Sequence, residues 1–224
     1  MATTLYEHPL NERIRNYLKL EQLFTQTRHC SPDNIMITYH AFFGALFAIV
    51  DCLERNDIRG DLIKDLEKLE QNLLLWAKAP EIDTSAIRAN LQQTATLTAQ
   101  LKGNSPTWWQ LKENKLLTGL KQRFSIQGGN ASFDLPQLHF WLHQKPEQIS
   151  GDINQWLALL QQVRDSLFLI LKFLRLRSDF EKIETESGFY QDSGEGILLL
   201  RILVAQNAQY YPCVSGNKFR YSIR

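Results

Sequence analysis

The spacing of apolar residues changes once along this chain, and that change limits the folds it can adopt. Over residues 11–177 apolar side chains recur every three or four positions, as on amphipathic helices. Over residues 188–224 the period shortens to two, which is typical of strands. Residues 3–7 form one more short β-prone stretch. The pattern predicts an α+β fold: a mainly helical bundle with a small antiparallel β-sheet domain.

Polar caps, prolines and glycines divide the helical part into segments. The predicted helices run from residue 11 to a break at 30–33, then over residues 34–55, 58–78, from Asp83 or Ser85 to 102, 108–122, 134–142 and 152–177. The helix at 34–55 is apolar on most sides, which predicts a central helix packed by several neighbours. Pro146 and Gly151 predict a loop, and Asp152 is the predicted cap of the last helix.

One stretch in the middle, residues 123–143, contains the only Gly-Gly pair, Gly128-Gly129. Residues 124–126 alternate like a short strand, the glycines allow the chain to reverse, and Asp134 is placed to cap a helix. A hairpin turn is the favoured interpretation of the glycines, and an anion-binding nest is the alternative.

We expect one sheet to gather the N-terminal strand, residues 124–126 and the strands after Gly188. Those late strands are predicted at residues 188–192 and 198–206, from Tyr210 onward, and at 218–224. The predicted domains are a helical domain of residues 10–122 and 134–180, and a discontinuous β-strand domain of residues 1–9, 123–133 and 187–224.

Composition excludes several classes of protein. The net charge of +1 argues against a nucleic-acid binder. Three widely spaced cysteines form neither a disulfide framework nor a zinc motif, which fits a reducing, cytoplasmic setting. The start of the chain lacks the order of a signal peptide. The longest apolar stretch, residues 167–176, is short and contains Lys172 and Arg175, so we expect no membrane insertion.

Enzyme chemistry finds no support in the motifs. The chain has no phosphate loop, dinucleotide fingerprint or nucleophile elbow, so we expect neither catalytic residues nor a cofactor. His139 and His143 have a spacing that can hold zinc, but Phe140 occupies the position where a metalloprotease needs glutamate. The favoured interpretation is that the two histidines are packed or hydrogen-bonded and hold no metal. A third interpretation, beside zinc binding, is that His139 is part of an anion-binding surface. The tryptophans at 108, 109, 141 and 156 are expected in the core.

Local groups of cations are the feature left to explain. Lys218, Arg220 and Arg224 fall on one face of the predicted last strand, and Phe219, Tyr221 and Ile223 on the other. Arg15 and Lys19 lie four residues apart on a helix, as do Arg55 and Arg59. Arginine holds a carboxylate with two parallel hydrogen bonds, so these groups suit an acidic peptide; a solvated basic surface is the alternative.

Three separated blocks of this sequence resemble the ZapD family, bacterial cytoplasmic proteins associated with FtsZ, the tubulin-like protein of the division ring. The central block is GGNASFDLPQLHFWLH at residues 128–143. The first is YEHPLNE at residues 6–12, followed by Arg15, and the last is GFYQD at residues 188–192, followed by Tyr211-Pro212 and Ser215-Gly216. The resemblance covers nearly the whole chain and is weakest over residues 81–102.

The resemblance implies a non-enzymatic cell division factor that binds the C-terminal tail of FtsZ at midcell. As a homodimer it would crosslink and bundle FtsZ filaments and so stabilise the division ring. The tail carries acidic and apolar residues, and the side chains implied by position to receive it are Arg15, Lys19, Arg55, Lys115, His139, Arg220 and Arg224. Lys19 and Lys115 stand where arginine is expected, which keeps the charge but not the bidentate geometry.

Two further expectations accompany the resemblance. Family members continue past the position of Arg224, so we expect the sheet to lack an edge. The alternative function is a helical adaptor that recruits a different acidic partner through the same basic surface.

Overall fold

The computed structural model describes residues 2–30, 32–77, 84–103, 105–185 and 187–224. In these residues the mainly helical α+β fold is confirmed. The helices are α1 (Glu12–Arg28), α2 (Ile35–Arg55), α3 (Ile58–Trp76), α4 (Thr84–Lys102), α5 (Lys115–Phe124), α6 (Pro136–Leu142), α7 (Pro146–Ala158) and α8 (Gln161–Arg175), with short 3-10 helices at Pro32–Asn34, Thr107–Glu113 and Ser132–Asp134. The strands are β1 (Thr3–Pro9), β2 (Tyr190–Ser193), β3 (Leu199–Ala205), β4 (Val214–Gly216) and β5 (Arg220–Ile223).

Contacts divide the chain into two compact units. The terminal unit comprises Met1–Lys19 and Leu171–Arg224, and the central unit comprises Leu20–Ile170. The predicted domain boundaries at residues 10, 123, 134 and 187 stay a prediction about independently folding parts. Lys78 and Asp83, the predicted end of the third helix and one predicted cap of the fourth, lie outside the described residues.

In the central unit, α2 is the buried helix on which the core is built. Phe42, Phe43, Leu46 and Ile49 are completely buried along it. It is the one helix of the described residues that is long and apolar enough to cross a membrane, yet more than half of that stretch is buried inside the protein. A buried core helix explains the same composition, and the absence of membrane insertion stays a prediction.

An aromatic cluster fixes the helices that surround α2. The ring of Phe43 lies 5.9 Å from Phe124, 5.4 Å from Trp141 and 6.0 Å from Trp156, measured between centroids. Edge-to-face and tilted pairs at these distances stabilise a core beyond their buried area. Trp108, Trp141 and Trp156 are buried as predicted, whereas the core prediction is wrong for Trp109, which is 54% exposed.

The aromatic cluster also explains why the predicted strand at residues 124–126 is wrong. Phe124 is the last residue of α5, and its ring packs 5.5 Å from Phe47. The turns that follow contain Gly128 with φ 75°. The glycine reversal is therefore correct, but it follows a helix and is not a hairpin between strands.

Three helix predictions need correction in the central unit. Residues 108–122 form a 3-10 helix and then α5, because Asn114 is extended and its Oδ1 accepts a hydrogen bond from Leu117 N at 3.1 Å. Pro146 begins α7 as its first residue, where a proline needs no N–H partner. Asp152 then lies inside α7, and the predicted helix 152–177 divides near Leu159. Asp134 ends a 3-10 helix, and Leu135 occupies the N-cap position of α6.

In the terminal unit the strands form two antiparallel sheets, where one was predicted. The first sheet pairs β1 with β3, from Thr3 opposite Ala205 to Pro9 opposite Leu199. The second has the order β2-β5-β4, with β5 in the middle. The strand predicted from Tyr210 begins later, at Val214, because Pro212 has no N–H for the ladder. The first residues of α1 belong to this unit, and Asn11 caps the helix as predicted, accepting from Ile14 N at 2.8 Å.

Candidate functional site

The four predicted contact residues of the terminal unit lie in two pairs. Arg220 and Arg224 are both exposed, and between them Tyr221 is buried. The predicted alternation is confirmed at Arg220 and Tyr221, whereas Ser222 and Ile223 are both half-buried. Lys218 and Phe219 lie in the turn before the strand, and Phe219 is 69% exposed where the prediction placed it inside. Because β5 is paired on both sides, the backbone of Arg220 is held in register, and Arg224 directly follows the strand.

A nearby carboxylate is engaged elsewhere. Asp192, on the neighbouring strand β2, accepts hydrogen bonds from the Tyr190 hydroxyl at 2.9 Å and from Ser193 N at 2.7 Å. These bonds, the backbone one first, lower the pKa of the Asp192 carboxyl and so keep it ionised. Within the described residues no carboxylate lies at ion-pair distance from Arg220 or Arg224.

The second sheet also limits the motion of one arginine. The Arg224 guanidinium lies 5.6 Å from the centroid of the Phe189 ring, a cation–π contact. The backbone of Arg224 exchanges two hydrogen bonds with Cys213, at 2.8 and 3.0 Å. The backbone of Arg224 is therefore held by Cys213, and its guanidinium group packs on the Phe189 ring. The N–H donors of the guanidinium have no carboxylate partner among the described residues.

Arg15 and Lys19 lie on the first turns of α1, and both are exposed. Arg15 Nε lies 3.5 Å from Glu12 Oε2, an ion pair in which both side chains are more than half exposed. Such a pair is worth roughly 0–1 kcal/mol, so an incoming carboxylate can replace Glu12 at little cost. Lys19 has no ion-pair partner within the part of the chain that the structure describes.

In the central unit, some cations are paired with carboxylates of the protein, and Arg55, a predicted contact of the partner, is not. Lys121 contacts Asp51 at 2.8 Å, and Lys112 contacts Glu54 at 3.2 Å, which ties α5 and the preceding 3-10 helix to α2. Arg55, the last residue of α2, is exposed and makes no ion pair among the described residues.

The predicted pairing of Arg55 with Arg59 on one helix side is wrong. Asn56 ends α2 in an extended conformation, and Arg59 belongs to α3. The Arg59 side chain donates to Leu101 O at 2.6 Å and to Gly103 O. It therefore caps the C-terminal carbonyls of α4 and is not available as a surface contact.

Lys115 lies at the rim of a groove in the central unit. It is the first residue of α5, placed there by the Asn114 cap. The groove has a volume of about 700 Å³ and runs between α5, α6 and α7. Its lining consists of Lys115, Leu116, Gln137, Phe140, Trp141, Gln144, Gln148, Gly151, Asp152 and Gln155.

His139 lies on α6, next in sequence to Phe140 of the groove lining, and is exposed. Its ring centroid lies 4.3 Å from that of His143, and His143 Nδ1 lies 2.8 Å from the His139 carbonyl oxygen. One ring nitrogen of His143 is thus engaged by the backbone. Within the described residues no group of three or more His, Cys, Asp or Glu side chains could hold a metal ion.

Within each unit the structure brings some of the predicted residues together and leaves others apart. Arg220 begins β5 and Arg224 directly follows it, while Arg15 and Lys19 share a helix side. Lys115 shares its groove with α6, while Arg55 stands alone at the end of α2. The roles of all seven residues stay predictions.

The groove residues themselves were missed at the sequence level. In the sequence, Phe140 served only to argue against a metalloprotease. In the structure it is 71% exposed and lines the groove. The signal was present: Leu135, Leu138, Trp141 and Leu142 complete the buried stripe of this segment, and Phe140 falls outside it.

Comparison with known proteins places this mainly helical α+β chain among cell division proteins. The family model described as ZapD, cell division protein, matches residues 18–224. Cell division protein ZapD of Yersinia pseudotuberculosis serotype O:1b is 41% identical over all 224 residues, which cover 89% of that relative. Cell division protein ZapD of Yersinia pestis strain Pestoides F has the same identity and coverage. The chain belongs to the ZapD family, and its role is in cell division.

Proposed function

We propose that this protein is a non-enzymatic division factor that binds the acidic C-terminal tail of FtsZ in the cytoplasm at midcell. The observation that carries the proposal is the arrangement of Arg220 and Arg224. Both are exposed: Arg220 begins β5, which is paired on both sides, and Arg224 directly follows the strand, with its backbone bonded to Cys213. The Asp192 carboxylate of the next strand accepts hydrogen bonds from Tyr190 and Ser193. Two exposed guanidinium groups that have no carboxylate partner among the described residues suit the carboxylates of an acidic peptide.

The remaining cations supply further contacts to the same partner. Lys19, Arg55 and Lys115 are exposed and unpaired among the described residues, and Arg15 has only a weak exposed partner. Exposed charge pairs contribute little one by one, so several are needed for appreciable affinity and for fast, steered association.

The proposal includes a homodimer that crosslinks FtsZ filaments. A monomer with one tail site decorates a filament, whereas a dimer has two equivalent sites and joins two filaments. Multivalent attachment along a filament then gives bundles that are stable although each contact is weak. Bundling stabilises the division ring.

Three measurements test this function. Fluorescence anisotropy of a labelled FtsZ tail peptide should show saturable binding, and a peptide with its acidic residues replaced by amides should not bind. Low-speed sedimentation of FtsZ filaments should give bundles with the intact protein. Sedimentation velocity at micromolar concentration should show a dimer; a monomer across that range would remove the crosslinking mechanism. Capture of another acidic protein with no binding of the tail would favour the adaptor function.

A further inference from the structure

The groove between α5, α6 and α7 has a chemistry that a purely basic site does not need. It combines one exposed cation, Lys115, with one exposed aromatic side chain, Phe140. Four glutamine side chains, at residues 137, 144, 148 and 155, complete most of its wall. A volume of about 700 Å³ falls within the range of ligand sites in proteins.

The exposure of Phe140 is the most informative part of this arrangement. Its neighbour Trp141 is 5% exposed and belongs to the core, whereas Phe140 is 71% exposed. An exposed aromatic side chain at a concave surface is typical of a binding anchor, because its large apolar area is removed from water only when a partner binds.

The polar groups of the groove fit a peptide backbone. An extended peptide has an unpaired N–H and C=O at each residue, and a glutamine amide can both donate and accept. The Gln144 amide already donates to Phe140 O at 3.1 Å, which holds it in place and leaves its carbonyl oxygen as an acceptor.

Lys115 gives the groove a group that can pair with a carboxylate of a partner. The one carboxylate of the lining, Asp152, accepts a hydrogen bond from the Trp141 indole N–H at 2.8 Å. Lys115 is exposed at the rim and has no ion-pair partner among the described residues. The indole N–H is neutral, so Asp152 keeps its charge, and Lys115 is the lining residue that can pair with a carboxylate of the peptide.

We infer that this groove binds an extended peptide segment, with an apolar side chain packed on Phe140 and a neighbouring carboxylate paired with Lys115. The inference rests on the proposed function, because the peptide is the C-terminal tail of FtsZ. It adds an apolar contact at Phe140 to the charge contacts of the proposed site. It makes Phe140 and Gly151, neither of them charged, determinants of specificity.

Gly151 offers a way to fill the groove without disturbing the fold. It lies within α7 and lines the groove, and a Cβ added there would have no heavy atom within 4 Å. Gly151→Leu therefore places a side chain in the groove while improving helix propensity. Gly44 in α2 is an exposed helical glycine with equally open space, outside the groove, so Gly44→Leu is its matched control.

Phe140 has a matched control in the same block. Phe133 is 82% exposed and does not line the groove. Isothermal titration of the whole chain with the FtsZ tail peptide should show affinity reduced about tenfold in Phe140→Ser and in Gly151→Leu, the size expected for loss of an anchor residue. Phe133→Ser and Gly44→Leu should stay within about twofold of the parent, well below such a loss.

A second set of peptides identifies the apolar residue of the tail that contacts Phe140. Each apolar residue of the tail is replaced in turn by serine, and one replacement should weaken binding to the parent but not further weaken binding to Phe140→Ser.

Parent-like binding by Phe140→Ser and Gly151→Leu, with binding lost in Arg220→Glu and Arg224→Glu, would overturn the groove as a binding site and leave the proposed function standing. No binding by the parent chain would overturn both. Loss of a dimer in Phe140→Ser with tail affinity unchanged would make the groove a contact between copies and also overturn the inference.

Discussion

Arg175 holds Glu7 with two parallel hydrogen bonds, from Nε to Oε1 at 2.8 Å and from Nη2 to Oε2 at 2.7 Å. Both side chains are less than one third exposed. The pair joins β1 to the C-terminal end of α8 within the terminal unit, where a cation is also favoured by the helix dipole. It is the kind of ion pair that contributes to stability, because its geometry is bidentate and solvent screening is reduced.

Removing one partner of this pair should destabilise the protein. Glu7→Gln and Arg175→Met should each lower the free energy of unfolding by about 1–2 kcal/mol, between the values for exposed and buried pairs. Urea denaturation measures the change. Lys182→Met is the control, since its ion pair with Glu184 is exposed. Equal stability of Arg175→Met and Lys182→Met would contradict the role given to the pair.

Reversing the charge of Arg220 or Arg224 should weaken binding of the FtsZ tail more than removing it. Arg220→Gln and Arg224→Gln should each cost about 0.2–1 kcal/mol, as for exposed pairs, and the glutamate variants more because repulsion is added. The effect should shrink at high salt, since charges are screened over about 10 Å at 0.1 M. Anisotropy at two salt concentrations measures both.

Lys68→Glu is the control for this charge reversal. Lys68 is exposed on α3 and unpaired among the described residues, but it is not one of the predicted contacts. Tail binding that is unchanged in both folded arginine variants, with folding checked by circular dichroism, would leave that strand face as a solvated edge.

The cap that places Lys115 should be measurable on its own. Asn114→Ala removes the acceptor for Leu117 N and should lower the free energy of unfolding by about 1 kcal/mol. Asn114→Asp keeps an acceptor at the helix start and should be close to the parent. Thermal denaturation compares the two, and an alanine variant as stable as the aspartate variant would argue against the cap.

His8 should make stability depend on pH. Burial first, and the charge of Arg15 second, lower the pKa of His8 below its ordinary value of 6.5. Between pH 6.5 and that lowered pKa the unfolded chain binds more protons than the folded one, so stability falls as the pH decreases through this window. Urea denaturation at pH 5.5 and 7.5 should show a smaller difference for His8→Gln than for the parent. His29→Gln, at an exposed position, should behave as the parent.

Purified protein should contain no stoichiometric zinc. A structural zinc site takes four ligands, and the described residues around His139 and His143 offer no third one. Elemental analysis of the parent, His139→Ala and His143→Ala measures this directly. Zinc at one per chain that disappears in either variant would reverse the interpretation.

Sequence periodicity was a good guide where one element buries a wide face. The helix predicted at residues 34–55 agrees with α2, because an apolar surface so broad is stable only at the centre of a core. The period of two correctly placed Tyr221 inside and Arg220 outside on β5. Asn11 was recognised as a cap because an asparagine before an apolar periodic run has one common structural use.

Periodicity was misleading where tertiary contacts decide. Phe124 is a good strand residue by propensity, but its packing against Phe43 and Phe47 holds it at the end of a helix. The division between α7 and α8 has neither glycine nor proline, so the apolar pattern continues through it. The local pattern places Phe140 outside the buried stripe of its segment, but it does not indicate that α5, α6 and α7 form a groove around it.

The pairing of β1 with β3 has a consequence for the synthesis of this protein. Thr3 leaves the ribosome 202 residues before its partner Ala205. At 5–20 residues per second, β1 waits about 10–40 s for its partner. Throughout that time its N–H and C=O groups form an unpaired edge that can pair with another nascent chain. Glu7 and Pro9 lie within β1, and a charge and a proline on an unpaired edge both oppose pairing with another chain until β3 has been made.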